Sequence, residues 1–182
     1  METLELGMIK PFDIMLGGRP TWLSKQIKKI IKADISHSAV FFTVDKNIYV
    51  HESDRYGLRN ADFVEYYFNR PDYKIYIARP KIKATLKQER EFKHLAIKTA
   101  GHKPYDFMNL IFHQPVKWFM KRVFNKDVWW GKRKTDSNNR FICSERTAYI
   151  MDNFFSIEPN YHKISTEHFL HSDNYEVYEL KR

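Results

Sequence analysis

Cysteine is almost missing from this 182-residue chain, which has only Cys143. No disulfide can form within the chain, and no cysteine-rich zinc module can be built. Glycine and proline are scarce, at 6 and 7 residues, which excludes collagen-like and Pro/Gly-rich classes. No run approaches the roughly 18 apolar residues of a membrane span. The first residues carry Glu2 and Glu5 and no long apolar stretch, so they do not read as a secretory signal. These absences point to residence in a reducing cytoplasm. No repeat or low-complexity linker interrupts the chain, and its length suits one domain over residues 1–182.

Aromatic residues are plentiful, at 16% with 14 Phe, 11 Tyr and 4 Trp. That much apolar surface can offset ordering entropy, so global disorder is excluded. Lys and Arg number 31 against 22 Asp and Glu, a net charge of +9 that suits an acidic partner or surface. Much of the local density falls between Lys117 and Asn139, among Trp118, Phe119, Trp129 and Trp130. We read a basic aromatic insertion at about 115–139. The Lys117 to Lys134 stretch suits an anionic surface, either a membrane or an acidic polymer, or single-stranded nucleic acid. It reads equally well as a basic loop whose Trp side chains pack on the domain. No specific nucleic acid is expected.

Patterning predicts a short strand over 11–16, ended by Gly17-Gly18, and a helix over 20–33 with Leu23, Ile27, Ile30 and Ile31 on one face. A strand over 35–44 has apolar residues on both faces and should be central. Further strands are predicted over 48–52, 73–78 and 175–180. Thr85 and Gln88 form a capping box for a helix that Gly101 stops. Helices are also expected over 106–124, broken at Pro115, and over 141–155. Strands first and helices later suggest an α+β domain.

Cys143 falls where a polar loop meets the last of these helices. A helix N-terminus favours the thiolate, the nucleophilic form of cysteine, and its free N–H groups can hold an oxyanion. A buried structural thiol fits the same local context. A nucleophilic cysteine needs a base, usually histidine. Among eight histidines His37 is the most unusual, standing at the start of an otherwise apolar strand.

Five short motifs occur in order: Phe12-Asp13-Ile14, Ser36-His37-Ser38-Ala39-Val40, Val50-His51-Glu52, Pro104-Tyr105-Asp106-Phe107 and Ile142-Cys143-Ser144-Glu145. This order resembles the circularly permuted branch of the NlpC-type papain-fold cysteine hydrolases, which includes the YiiX-like proteins. Lecithin:retinol acyltransferase is a more distant relative. The resemblance implies a papain-like α+β fold with a central antiparallel sheet and the Cys143 helix packed on it. It implies Cys143 as nucleophile, His37 as base, and Tyr105 and Asp13 near the substrate. It further implies an amidase or peptidase acting on peptide, amide or acyl substrates through a thioacyl intermediate, with no cofactor and no metal. A lipid-directed thiol acyl hydrolase or acyltransferase is the enzyme alternative. A non-catalytic basic binding module is the alternative of another class. Phe41-Phe42 is bulkier than the aliphatic pair usual in the family, and the basic aromatic segment has no counterpart.

The third catalytic member depends on strand register. If Val44 pairs with Ile48, His51 shares a face with His37. If Asp45-Lys46 is a two-residue turn, Ala39 opposes Glu52 and Glu52 takes that face. The YiiX-like resemblance favours Glu52, and the acyltransferase branch, which uses a second histidine, favours His51. His162, His168 and His171 with Glu167 could be read as a metal cluster, but a solvated helix end is the simpler reading.

Overall fold

Strand alternation dictates the layering. The computed structural model of the chain describes residues 1–18, 35–54, 57–101, 143–159, 161 and 164–182. The strands are β1 (Glu2–Leu4), β2 (Ile14–Gly17), β3 (His37–Val44), β4 (Asn47–Asp54), β5 (Gly57–Asp62), β6 (Ile75–Pro80) and β7 (Tyr175–Leu180). They form one sheet in the order β1-β7-β6-β2-β3-β4-β5. All neighbours are antiparallel except β1 and β7, so the sheet is mixed, where a wholly antiparallel one was expected. Among the described residues the α-helices are α1 (Leu86–Thr99), α2 (Cys143–Phe155) and the short α3 (His168–His171).

The central position expected for the 35–44 strand holds, because β3 lies between β2 and β4. Val40 and Phe42 point to the helix side, where they join Phe12, Ile14, Leu16, Phe92, Ala148 and Met151. Ala39 and Phe41 point to the other face, with Met15, Val50, Phe63, Tyr67 and Ile77. With both faces buried, β3 reads as a continuous apolar run. Phe12 enters β2 at φ 68, and its ring stacks on Phe92 at 4.8 Å.

Thr85 caps α1 as expected: its side chain accepts from the Gln88 N–H, and Gln88 reaches back to the Thr85 N–H. Gly101 follows the helix at φ 78, a conformation that glycine adopts without steric penalty. Four elements were not anticipated: β1, a single 3-10 turn at Leu6–Met8, β5 and a five-residue π-helical turn, Val64–Phe68. The helices expected over 20–33 and 106–124 lie outside the described residues, as does the 115–139 insertion. Among the described residues no helix is long and apolar enough to cross a membrane.

Candidate active site

Three side chains meet at the start of β3. His37 is its first residue, and Cys143 is the first residue of α2. The Cys143 Sγ lies 3.9 Å from the carbonyl oxygen of Ser36, the residue before His37. The thiol lies near enough to the imidazole to be among the groups that raise the His37 pKa. His37 Nε2 is paired with Glu52 Oε2.

The register decides which of residues 51 and 52 shares a face with His37. Val44 pairs with Asn47 and Val40 with His51, so the turn is Asp45-Lys46 alone. Asp45 takes φ 55, the kind of positive φ that two-residue hairpins use and aspartate tolerates. The same register carries Glu52 onto the His37 face and turns His51 to the other.

Their strand neighbours hold the helix. Ser38 Oγ and Thr147 Oγ1 are 3.0 Å apart. Arg146 Nε and Nη2 lie 3.2 and 3.0 Å from His51 Nε2. Adjacent residues in a strand face opposite sides. His37 and Glu52 therefore face one way, while Ser38 and His51 grip the helix that carries Cys143.

Glu52 is buried, which would keep its carboxyl neutral if it stood alone. Burial raises its pKa, but the charge and hydrogen bond of His37, the charge of Arg59 and the Tyr67 hydroxyl bring it down to about 2. Burial likewise lowers His37, and Glu52's charge and the Cys143 hydrogen bond override it, lifting His37 to about 10. A cationic imidazole beside a thiol is thus built into the fold. The His37 side chain is 18% exposed, so the imidazole is not fully closed off.

His51 is held neutral. Its Nδ1–H donates to Asn60 Oδ1 at 2.8 Å, and its Nε2 accepts from Arg146. Burial and the Arg146 charge push it down to about 4. An unfolded histidine binds its proton near pH 6.5, so this burial stabilises the fold above that pH. The contribution should fade as pH falls from about 6.5 to 4, by on the order of 3 kcal/mol in total. Urea unfolding at several pH values checks this: the slope in that window should flatten in His51→Gln, and an unchanged slope would assign it elsewhere.

Asp13 stands apart from the trio. Arg79 grips its carboxylate twice, Nε to Oδ1 at 2.8 Å and Nη2 to Oδ2 at 2.7 Å, and the Lys10 N–H donates at 2.9 Å. Its backbone pairs with Phe41, four residues along β3 from His37, or roughly 13 Å at the usual rise. It ties the start of β2 to β6. Tyr105 and the Lys117 to Lys134 segment lie outside the described residues. His168 pairs with buried Glu158 at 3.1 Å, and His171 sits 3.8 Å from Glu167, while His162 is outside the described residues. Among the described residues no group of three or more His, Cys, Asp or Glu is arranged to hold a metal ion.

Arg59, Tyr67, Asn60 and Arg146 complete the surroundings and were not anticipated. The one signal in the sequence was the complementary charge of Glu52 and Arg59, which register as cross-strand partners. It becomes readable only once β5 is known to be a strand.

No family model matches the chain, and no curated protein does. Among solved structures, the chain is similar to the metalloprotein YiiX from Escherichia coli O157:H7, with a TM-score of 0.58 and 19% identity. The match covers 82% of this chain and 68% of that one. A likeness at this identity shows a shared fold.

Proposed function

We propose that this YiiX-like fold is a permuted papain-like cysteine hydrolase that cleaves amide or peptide bonds. One observation carries the reading: an imidazole paired with a buried carboxylate, beside a thiol at a helix start that lies 3.9 Å from the carbonyl of Ser36, the residue before His37. In the first step His37 takes up the proton of the Cys143 thiol, and Glu52 balances the charge on the imidazole. The Cys143 sulfur attacks the substrate carbonyl, forming a C–S bond and an oxyanion. The backbone N–H of Cys143 and the helix dipole favour that oxyanion. As the C–N bond breaks, His37 gives its proton to the leaving amine. His37 then takes a proton from water, hydroxide adds to the thioester, and the acid product leaves as the thiol is restored.

The similar structure is titled a metalloprotein. Here His37 Nε2 is engaged by Glu52, and the described residues assemble no metal-binding group. They do not fit a metal centre, and no step runs through one.

Electrophilic acyl probes test the reading, with peptide-like amides, activated esters and long-chain acyl thioesters in parallel. Intact-mass analysis should show one acyl group on the wild type and none on Cys143→Ala. Labelling by long-chain probes alone would move the assignment to a lipid-directed acyl hydrolase or acyltransferase. Absence of any Cys143-dependent adduct would leave a binding module on the same fold.

A further inference from the structure

Glu52 is gripped on both oxygens. Oε2, which holds His37, also accepts from the Tyr67 hydroxyl at 2.5 Å. Oε1 accepts from Arg59 Nε at 2.7 Å, and Arg59 Nη2 lies at the same distance. A carboxylate held at one oxygen can swing about its terminal torsion, which is broad. One held at both cannot leave the imidazole without breaking two further bonds.

The backbone supports this grip. Tyr67 is the buried residue of the π-helical turn Val64–Phe68. Such turns are rare and recur at functional sites. Its ring lies nearly parallel to His37, 6.5 Å away at 11°, and is wedged against Tyr73 at 5.5 Å. The preceding residue, Tyr66, places its ring 5.5 Å from the Arg59 guanidinium. Two consecutive tyrosines of one turn thus serve the two halves of the clamp. Asp54 adds a second carboxylate, 3.0 Å from Arg59 Nε.

We propose that Tyr67 and Arg59 are positioning residues of the site, locking the Glu52 carboxylate so that it holds His37 toward Cys143. The inference rests on the hydrolase reading for its catalytic consequence. Its geometric part can be tested without turnover, because the reactivity of Cys143 depends on the same imidazole.

The test is a double-mutant cycle against Glu52, read in two ways. Tyr67→Phe keeps the ring and removes the hydroxyl, while Arg59→Gln removes the charge and Arg59→Lys keeps it. Iodoacetamide alkylation of Cys143 at neutral pH and kcat on the best acyl substrate are both measured. Thermal melts confirm that each variant is folded. Tyr67→Phe and Arg59→Gln should each lower alkylation and kcat by roughly 10-fold, with KM unchanged. Arg59→Lys should recover part of the loss. In a Glu52→Gln background the same substitutions should have little further effect, since the group they act through is gone. Equal losses in both backgrounds, or no loss in either, would overturn the proposal. If alkylation follows the expected pattern but the wild type turns over no substrate, the clamp stands and the hydrolase reading fails.

Discussion

Cys143→Ala should abolish turnover, and His37→Ala should lower kcat/KM by roughly 10³- to 10⁴-fold on any substrate that labels Cys143. The double variant should be no worse than Cys143→Ala alone. In the proposed mechanism the two groups act as a unit, with His37 taking the proton that Cys143 loses and later delivering it to the leaving amine. Once the thiol is gone, the imidazole has no nucleophile to serve, so their effects cannot add. Steady-state kinetics on the three variants check this. Activity in Cys143→Ala within a few-fold of wild type would place the chemistry on another residue. Independent, additive losses would break the coupling that the proposed proton transfer requires.

Glu52→Ala should be the most destabilising single change at the site. It leaves the Arg59 guanidinium and the His37 imidazole without the carboxylate they share. Breaking a buried ion pair by removing one partner costs roughly 3–5 kcal/mol. Glu52→Gln keeps the shape and some hydrogen bonding, so it should lose less stability while still losing activity, roughly 10²- to 10⁴-fold. His51→Gln should lower activity less, because His51 faces the helix and not the imidazole. Denaturant unfolding and kcat/KM on the three variants separate the effects, and a larger activity loss in His51→Gln would hand the third role to His51. The pH dependence follows from both partners. Glu52, held at about 2, contributes stability above its unfolded value near 4.5, and this is lost as pH falls toward 2. His37, lifted to about 10, contributes fully below 6.5 and loses its share as pH rises toward 10. The pair therefore stabilises most between about pH 4.5 and 6.5.

Local rules placed much of the fold. The capping box at Thr85 and Gln88, the alternation of 175–180 and the doubly apolar 35–44 run all became the expected elements. β5 escaped notice because Gly57-Leu58-Arg59-Asn60-Ala61-Asp62 has a weak alternation. Its strand character comes from pairing with β4 and not from propensity. Tyr67 was invisible among Tyr66, Tyr67 and Phe68. Only the π-helical register, which is set by packing, buries one of the three beside Glu52.

The lone cysteine, the histidine at a strand start and the two candidates at 51 and 52 were determined by sequence alone, because residue identity and order are local facts. Which of His51 and Glu52 shares a face with His37 was not. A side-chain period of two means that a one-residue slip exchanges the faces, and the two-residue turn at Asp45-Lys46 decides it. The same tertiary pairing turned Asp13 toward Arg79 and away from the site. Only in three dimensions do residues 37, 52, 59, 67 and 143 meet. A buried carboxylate must find its partners wherever the fold brings charge and hydroxyl within reach.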